Sequence, residues 1–297
     1  MARTAILFAI ATALAGGSVL TAIVATGDVA DEVADEVAGL RPAGDWASDA
    51  IWHDGLVEKA VYTAEKVIYG QARQYEATFL TNKEQHDPAT WTKSLSGDGV
   101  EVWKHNQIEV VPTPNYDYKF ETTTHARVDD LSLTRLDAAS QEWCGTTFHQ
   151  YLSAGDGALD YFAFSYMPEQ GRQSATVSTP GDRPIVAFNS LPLLLRGYDF
   201  EAREELRICL LPDQKSNKLV DHQPISAAVT FAGETDNGYR LTIATAFDGS
   251  LAAQDFIIGT FTFAKDRRHV MLSYEGTNGD RYTLKSLERV DYWTLPK

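Results

Sequence analysis

The segment with the most reactive side chains is residues 141–145, which reads QEWCG. Its Cys144 follows Glu142 by two positions and precedes His149 by five, and a cysteine near a histidine base can serve as a catalytic nucleophile. Successive side chains of a strand point to opposite faces, so Cys144 would share a face with Glu142 and not with His149. A neighbouring carboxylate also raises the pKa of a thiol, which opposes reactivity. The pattern therefore favours packing or a structural disulfide for Cys144, with a hydrolase that uses Cys144 and His149 as the alternative.

The sequence contains no familiar spacing of metal-binding or cofactor-binding residues. Its seven histidines form no His-x-His or His-Glu-x-x-His pair, and Cys144 and Cys209 are 65 positions apart, so no zinc signature is present. A glycine-rich phosphate loop and a G-x-S-x-G nucleophile turn are also absent. Adjacent carboxylates such as Asp129 and Asp130 would point to opposite faces of a strand and could not act as an acid–base pair. The sequence thus predicts no metal, no cofactor and no recognisable active site.

The two cysteines lie in apolar or aromatic settings, Cys144 after a tryptophan and Cys209 between Ile208 and Leu210. Two cysteines in a chain of this size do not make a disulfide framework. Their settings favour two buried thiols, whereas export would permit a disulfide between them. The sequence leaves both states open.

The charge balance restricts the partners that the chain can bind. Acidic residues number 41 against 26 basic ones, which gives a formal net charge of −15 and a pI of about 4.8. Such a surface repels phosphate backbones and anionic lipid headgroups, so we expect no nucleic-acid partner. Solubility is the simplest role of this charge. A hydrophobic fraction of 44% with 23% charged residues is typical of a globular protein.

The N-terminus predicts export. Arg3 precedes residues 5–25, which contain no charged side chain. One positive charge before an apolar run is typical of a secretory signal peptide, although this run exceeds the usual ~7–15 residues and approaches the ~20 that span a bilayer. We therefore predict that residues 1–25 are a signal peptide or an uncleaved anchor. In either case the remainder is expected in the periplasm or cell envelope, and the membrane is contacted only through an uncleaved segment.

The chain past this segment divides into a spacer and a single domain. Residues 27–40 read GDVADEVADEVAGL, an acidic low-complexity repeat with only valine and alanine to bury before its final leucine. We interpret residues 26–45 as a spacer and residues 46–297 as one β-rich domain. The stretch 168–184 contains glycine, serine and proline and is the one candidate for an internal boundary.

Hydrophobic periodicity predicts strands through most of the domain. Residues 75–81 and 116–120 alternate apolar or aromatic side chains with polar ones, and Asn278-Gly279 between two alternating runs is a strong hairpin signal. Counted in this way, the domain holds about eleven strands. Residues 49–70 fit the face of a helix loosely. The apolar stretch 184–196 does not alternate and predicts an interior helix that Pro192 should break or kink.

Many short strands with few helices indicate a mainly β protein, either all-β or α+β. Antiparallel strands in this number must curl into an open barrel or a sandwich, because large twisted sheets do not stay flat. The helix within residues 184–196 would then cover an open mouth or edge of the sheet. The predicted fold is a curled antiparallel sheet with one or two covering helices.

Three short motifs suggest a family. Residues 52–55 (WHDG), 69–73 (YGQAR) and 141–145 (QEWCG) together resemble a family of exported bacterial proteins of unknown function, some of which carry the name septum formation inhibitor Maf. The resemblance covers residues 50–165. True Maf proteins are cytoplasmic nucleotide pyrophosphatases of α/β type, which agrees neither with the export signal nor with the strand pattern. The second half resembles, in pattern only, the open β-barrel of the lipoprotein carrier LolA, and the resemblance implies no catalytic residue.

These observations favour a non-catalytic envelope protein that binds a lipophilic molecule in the groove of a curled sheet. Aromatic residues of the strands are the candidates for the lining of this groove. They are Trp143, Phe148, Tyr161, Phe162, Phe256 and Phe263. Two alternatives stay open: a ligand-free envelope scaffold or assembly factor that binds a protein partner, and the hydrolase that uses Cys144.

Overall fold

The computed structural model describes residues 46–155, 157–178, 185–245, 256–291 and 293. The predicted signal peptide or anchor, residues 1–25, and the predicted spacer, residues 26–45, lie outside the described residues. Within those ranges, none of the helices has the length and apolar character needed to cross a membrane.

One large sheet accounts for most of the described chain and joins 16 strands. Alternating burial along the strands shows why they form, since one set of side chains enters the core while the other faces outward. The strands are β1 Val57–Ile68, β2 Gln71–Asp87, β3 Thr92–Lys93, β4 Val100–Val111, β5 Tyr118–Arg127, β6 Leu133–Glu142, β7 Gly145–Gly155, β8 Ala158–Ser165, β9 Gly171–Val177, β10 Ile185–Ala187, β11 Leu206–Leu211, β12 Ile225–Glu234, β13 Gly238–Thr245, β14 Phe256–Ala264, β15 Met271–Gly276 and β16 Arg281–Val290.

The order of the strands places the C-terminal half beside the N-terminal strand. The sheet runs from β10 through β11 to β16, continues into β1 and β2, and then passes from β4 to β9, while β3 pairs with β2 alone. Strands β10 and β11 are parallel, and the other pairs are antiparallel. Strands on both sides of residues 168–184 therefore belong to one sheet.

The sheet curls until its two ends meet through side chains. Ile185 and Ala187 of β10 belong to one buried cluster with Leu136 of β6 and Tyr161 of β8. Strand β10 lies at one end of the strand order, whereas β6 and β8 lie close to the other end. Contact between them requires the sheet to fold around on itself. The predicted fold class, antiparallel strands curled into an open barrel, is confirmed.

The apolar stretch in the middle of the chain forms short helical turns inside the curl. The helix α1, Leu191–Leu194, is flanked by the 3-10 turns Phe188–Ser190 and Leu195–Gly197. Pro192 lies in the first turn of α1, where a missing N–H costs no hydrogen bond, so it starts the helix and does not break it. All four residues of α1 are buried.

The position of α1 corrects the prediction that this segment covers a mouth or an edge of the sheet. Its leucines belong to the main buried cluster together with Tyr62, Phe79 and Phe261 from the inner face of the sheet. An almost wholly apolar segment is stabilised there because no face of it needs water. The expected helical character of residues 49–70 is also wrong for most of that stretch. Strand β1 is hydrogen-bonded along one edge to β2 and along the other to β16, and this pairing overrides a weak helical pattern.

Candidate functional site

The interior of the curled sheet contains a cavity of about 190 Å³. This volume is below the roughly 300–1,000 Å³ of sites for drug-sized molecules, so the cavity suits a small ligand. Apolar side chains from the sheet and from the helical segment form most of its wall. They are Phe79, Phe188, Pro192, Leu210, Pro212, Ile225, Ile258, Phe261 and Met271.

The cavity opens beside the hairpin that joins β15 to β16. Thr277 and Asn278 of this hairpin line the cavity and are exposed to solvent, as is Ile225 at the start of β12. The turn depends on Gly279, whose φ of +90° is a conformation that L side chains rarely adopt. Directly after it, Asp280 is buried and lines the cavity. The hairpin predicted from Asn278-Gly279 therefore forms and positions an acidic residue at the cavity wall.

One end of the cavity is built around a buried ion pair between β4 and the loop after β11. The Lys215 ammonium lies 3.1 Å and 3.2 Å from the two carboxylate oxygens of Glu109 and also donates to the Tyr282 hydroxyl. The Tyr75 hydroxyl donates to the same carboxylate at 2.5 Å. Lys215 and Glu109 are both almost fully buried. Each charge in this cluster has several partners, which is the condition under which buried ions persist.

The local charges keep the groups of this cluster in defined protonation states. Burial is the largest single effect and would lower the pKa of Lys215, but Glu109, Tyr75, Asp213 and Asp280 together outweigh it and raise that pKa well above its usual value. Burial raises the pKa of Tyr282 well above its usual value, and the nearby Glu109 adds to this effect. At neutral pH, Lys215 is therefore a cation whose donors are already used, and Tyr282 is a neutral hydroxyl.

Two further carboxylates face the same end of the cavity. Asp213 Oδ1 accepts hydrogen bonds from the side-chain amide of Asn189 at 2.7 Å and from the backbone N–H of Lys215 at 2.8 Å. Within the described residues, its second oxygen, Oδ2, takes part in no hydrogen bond. Asp280 Oδ2 accepts from Lys66 at 2.9 Å. The polar end therefore contains three carboxylates and two ammonium groups, which gives it an excess of one negative charge. They are Glu109, Asp213 and Asp280, and Lys66 and Lys215.

The structure does not bring the six predicted groove residues together, and none of them lines the cavity. Trp143 is on the turn between β6 and β7 and is 84% exposed, and Phe256 at the start of β14 is also exposed. Phe263 is fully buried in the main core, whereas Tyr161 belongs to the second buried cluster. Only Phe148 and its neighbour on β8 form a pair.

Phe148 and Phe162 contact each other on the opposite face of the sheet from Tyr161, with ring centroids 6.5 Å apart. The guanidinium of Arg172 lies over the Phe162 ring at 5.2 Å. The physical reason for the separation of the six predicted groove residues is that alternation divides the residues of a strand into two faces without identifying the concave one.

The structure also separates the residues of the proposed hydrolase. The Cys144 side chain is exposed and the Cys209 side chain is buried, and the two form no disulfide in this structure. The Cys144 sulfur lies 2.9 Å from the Tyr116 hydroxyl, and Glu142 accepts from the same hydroxyl at 3.2 Å. His149 is fully buried on β7, and burial lowers its pKa to about 4. An exposed thiol on the turn between β6 and β7 and a fully buried imidazole on β7 do not make a nucleophile–base pair.

A second polar cluster that the sequence analysis missed lies away from the cavity. Glu84 and His86 of β2 and His125 of β5 place one potential ligand atom each within 4.8 Å of one another. The signal in the sequence is weak, because only Glu84 and His86 are close along the chain, at the two-residue spacing that gives one face of a strand. His125 is brought beside them by the pairing of β2, β4 and β5.

The fold and the site together describe an open curled sheet that encloses an apolar cavity with a charged end. No family model matches the chain, and no curated protein matches it. The family suggested by residues 141–145 therefore stays a prediction.

Two solved structures align with this chain. A beta-barrel-like protein of the domain of unknown function DUF1849 from Brucella abortus aligns with a TM-score of 0.47 at 10% identity, over 80% of this chain and 98% of that one. A DUF1089 family protein from Pseudomonas aeruginosa aligns with a TM-score of 0.35 at 12% identity, over 57% of this chain and 82% of that one. Neither description names a ligand or an activity.

Proposed function

We propose that the protein is a non-catalytic, exported envelope protein that binds an amphiphilic molecule in its interior cavity. The observation that carries this proposal is an apolar cavity that ends at a carboxylate oxygen, Asp213 Oδ2, with no hydrogen-bond partner among the described residues. The apolar part of the ligand packs against side chains such as Phe79 and Phe261. Its polar group donates a hydrogen bond to Asp213.

The charges at the polar end favour an amine or another donor over a carboxylate or phosphate. The ammonium of Lys215 is already bonded to Glu109 and Tyr282, so it has little capacity left for an anion. Asp213 and Asp280 would repel an anionic group in a site where water screens poorly. A charge-assisted hydrogen bond to Asp213 contributes about 1.5–3 kcal/mol, so we expect discrimination of at least about tenfold.

The first experiment is native mass spectrometry of the protein purified gently from an envelope fraction. A bound mass that extracts into organic solvent supports the proposal and identifies the ligand class. A protein that carries no such mass, and binds none of the probes described next, would refute the proposal.

The second experiment compares decylamine, decanol and decanoate, which share one alkyl chain. We expect decylamine to bind most tightly in calorimetric titrations, and Asp213→Asn to remove its advantage over decanoate. Ile258→Trp should abolish binding of all three probes, because Ile258 lines the cavity. Ile257→Trp is the matched control, since Ile257 is the exposed neighbour on the same strand and should not affect binding.

A surface patch of aromatic residues supports a second candidate function, that of an envelope scaffold or assembly factor that binds a protein partner. Trp143 stacks on Tyr116, with ring centroids 5.4 Å apart, and Tyr69 and Tyr118 meet close by through their hydroxyls. Trp143 and Tyr69 are exposed, whereas Tyr118 is buried beside them. Exposed aromatic residues such as these two are typical of protein-binding surfaces. The test is a thiol-to-amine crosslinker attached at Cys144 in intact cells. A discrete crosslinked species that Trp143→Ser abolishes would support a protein partner, and an unchanged monomer would exclude one at this surface.

A further inference from the structure

Glu84, His86 and His125 form a compact polar cluster on the outer face of the sheet. On β2, the side chains of Tyr75, Ala77 and Phe79 enter the core, and Glu84 and His86 belong to the opposite, even-numbered set. The pairing of β2 with β4 and of β4 with β5 brings His125 to the same face. The His86 and His125 rings have centroids 4.6 Å apart, and His86 Nε2 lies 3.5 Å from Glu84 Oε2.

The cluster is buried although it lies on the outer face. Glu84 is 8% exposed, His86 3% and His125 6%. Within the described part of the chain, Nδ1 of each imidazole is buried without a hydrogen-bond partner. Buried polar nitrogens in native proteins are nearly always paired with protein, water or an ion. Two unpaired nitrogens in one small cluster are therefore available to a bound ion.

The turn between β2 and β3 lies over this face. Its Trp91 donates from the indole nitrogen to the Ser153 carbonyl of β7 at 3.1 Å, and the Trp91 carbonyl accepts from Arg135 of β6 at 3.3 Å. Arg135 pairs with His125 across the β5–β6 ladder, so it belongs to the face that carries the cluster. A bound ion would therefore be shielded from bulk solvent by this turn.

The two oxygens of Glu84 have different surroundings. Oε1 faces the ammonium groups of Lys104 at 3.3 Å and Lys93 at 3.5 Å. Oε2 faces His86. The lysines contact Oε1 and leave Oε2 for a ligand on the imidazole side. The two ammonium groups also repel a cation. An ion that binds here must therefore form strong bonds to the imidazole nitrogens, which excludes weakly coordinated ions.

We propose that Glu84, His86 and His125 bind a divalent transition-metal ion of the zinc type. Two imidazoles and one carboxylate are a ligand set of zinc sites that keep a fourth position open. Tetrahedral ligands at ~2.0–2.2 Å from zinc are roughly 3.3 Å apart, so ligand atoms within 4.8 Å of one another require side-chain shifts of about 1 Å. None of the three residues lines the cavity, so this site is independent of the proposed ligand function.

The test uses the whole protein without an affinity tag, stripped with a chelator and titrated with zinc by calorimetry. We expect saturable binding of one ion per chain and a rise in thermal stability on binding. With cobalt in place of zinc, the visible absorption spectrum should show the intense bands of a four-coordinate nitrogen–oxygen site. Absence of saturable binding, or a cobalt spectrum identical to that of the aqueous ion, would overturn the proposal.

Variants separate this site from adventitious binding. The double variant His86→Asn, His125→Asn should lose the ion and the zinc-dependent rise in stability. Glu84→Gln should weaken zinc at least about tenfold while the protein still folds. His53→Asn is the matched control, because His53 is exposed and outside the cluster, and it should bind zinc as the unmodified protein does. Zinc binding that survives in the double variant would place the ion elsewhere and refute the assignment.

Discussion

The substitution Arg196→Met is expected to destabilise the protein by about 3–5 kcal/mol, because it leaves a buried carboxylate without its counter-ion. Arg196 follows α1, and its Nη2 lies 2.7 Å from Glu58 Oε1 on β1. The side chains are 3% and 2% exposed, so water cannot replace the lost partner. At a charge separation of about 4 Å, and with the effective dielectric constant of about 20 that suits protein sites, the attraction is about 4 kcal/mol.

Within the described part of the chain, the ion pair between Arg196 and Glu58 leaves some of its buried polar atoms without hydrogen bonds. Removing both charges should therefore change the free energy of unfolding less than removing one. Among the described residues, Arg196 Nε and Nη1 and Glu58 Oε2 have no hydrogen-bond partner. Replacing a whole buried pair with apolar residues is often neutral or stabilising. The double variant Glu58→Leu, Arg196→Met should therefore be closer in stability to the unmodified protein, within about 2 kcal/mol, than either single variant.

Urea unfolding followed by tryptophan fluorescence is the appropriate assay. Trp46, Trp52 and Trp103 form a buried cluster, in which Trp46 stacks on Trp103 at 5.0 Å and Trp52 meets Trp103 edge-on at 4.8 Å. The Arg196 guanidinium lies 5.9 Å from the Trp52 ring. Loss of this cluster on unfolding changes the fluorescence of the three residues. The total free energy of unfolding of such a domain is about 5–15 kcal/mol, so a loss of about 3–5 kcal/mol is a large fraction of it.

Lys59→Met provides the control within the same strand. Lys59 is the sequence neighbour of Glu58, and it pairs with Glu288 at 3.0 Å on the exposed side of β1, where both side chains are at least 36% exposed. Surface pairs of this kind contribute about 0–1 kcal/mol. If Arg196→Met destabilised the protein no more than Lys59→Met, or if the double variant were as unstable as the sum of the single ones, the reasoning from burial would be wrong.

Two further predictions concern protonation and thiol exposure. Burial lowers the pKa of His105 to about 3, so below about pH 6.5 the unfolded chain binds the proton that the folded chain excludes. The free energy of unfolding should then fall as the pH falls, by about 1.4 kcal/mol per pH unit for this group. Urea titrations at pH 7 and pH 5 measure this slope, and His105→Gln should reduce it. The native protein should incorporate one maleimide, at the exposed Cys144, and the unfolded protein two, as read by mass spectrometry. Modification of Cys209 first, or an unchanged slope for His105→Gln, would contradict these expectations.

Local patterns in the sequence were sufficient to predict the class of fold. The Asn278-Gly279 hairpin, for example, needs only a residue at positive φ between two alternating runs, and the structure has Gly279 at that φ. Strand β1 could not be predicted in the same way, because its partners are β2 on one edge and β16, more than two hundred residues away, on the other. Its conformation is determined by pairing that a local window does not contain.

The candidate site was unpredictable for a related reason. Glu109 meets Lys215 across 106 positions and Tyr282 across 173, and no motif spans such separations. The predicted groove residues were chosen because they are aromatic, yet the cavity is lined by whichever side chains lie on the concave face. Phe148 and Phe162 show the limit of that choice, since both lie on strands of the sheet but on its outer face.

The helical segment inside the curled sheet determines which part of the interior stays open as the cavity. A sheet of this size encloses more space than its inward side chains fill, and the turns from Phe188 to Gly197 occupy part of it. Their buried polar groups need partners, and Gln107 of β4 supplies one by donating to the Asn189 carbonyl at 2.9 Å. Asn189 in turn fixes Asp213 by a hydrogen bond at 2.7 Å. The helical segment therefore fills one part of the interior and, through Asn189, also orients the Asp213 carboxylate toward the cavity.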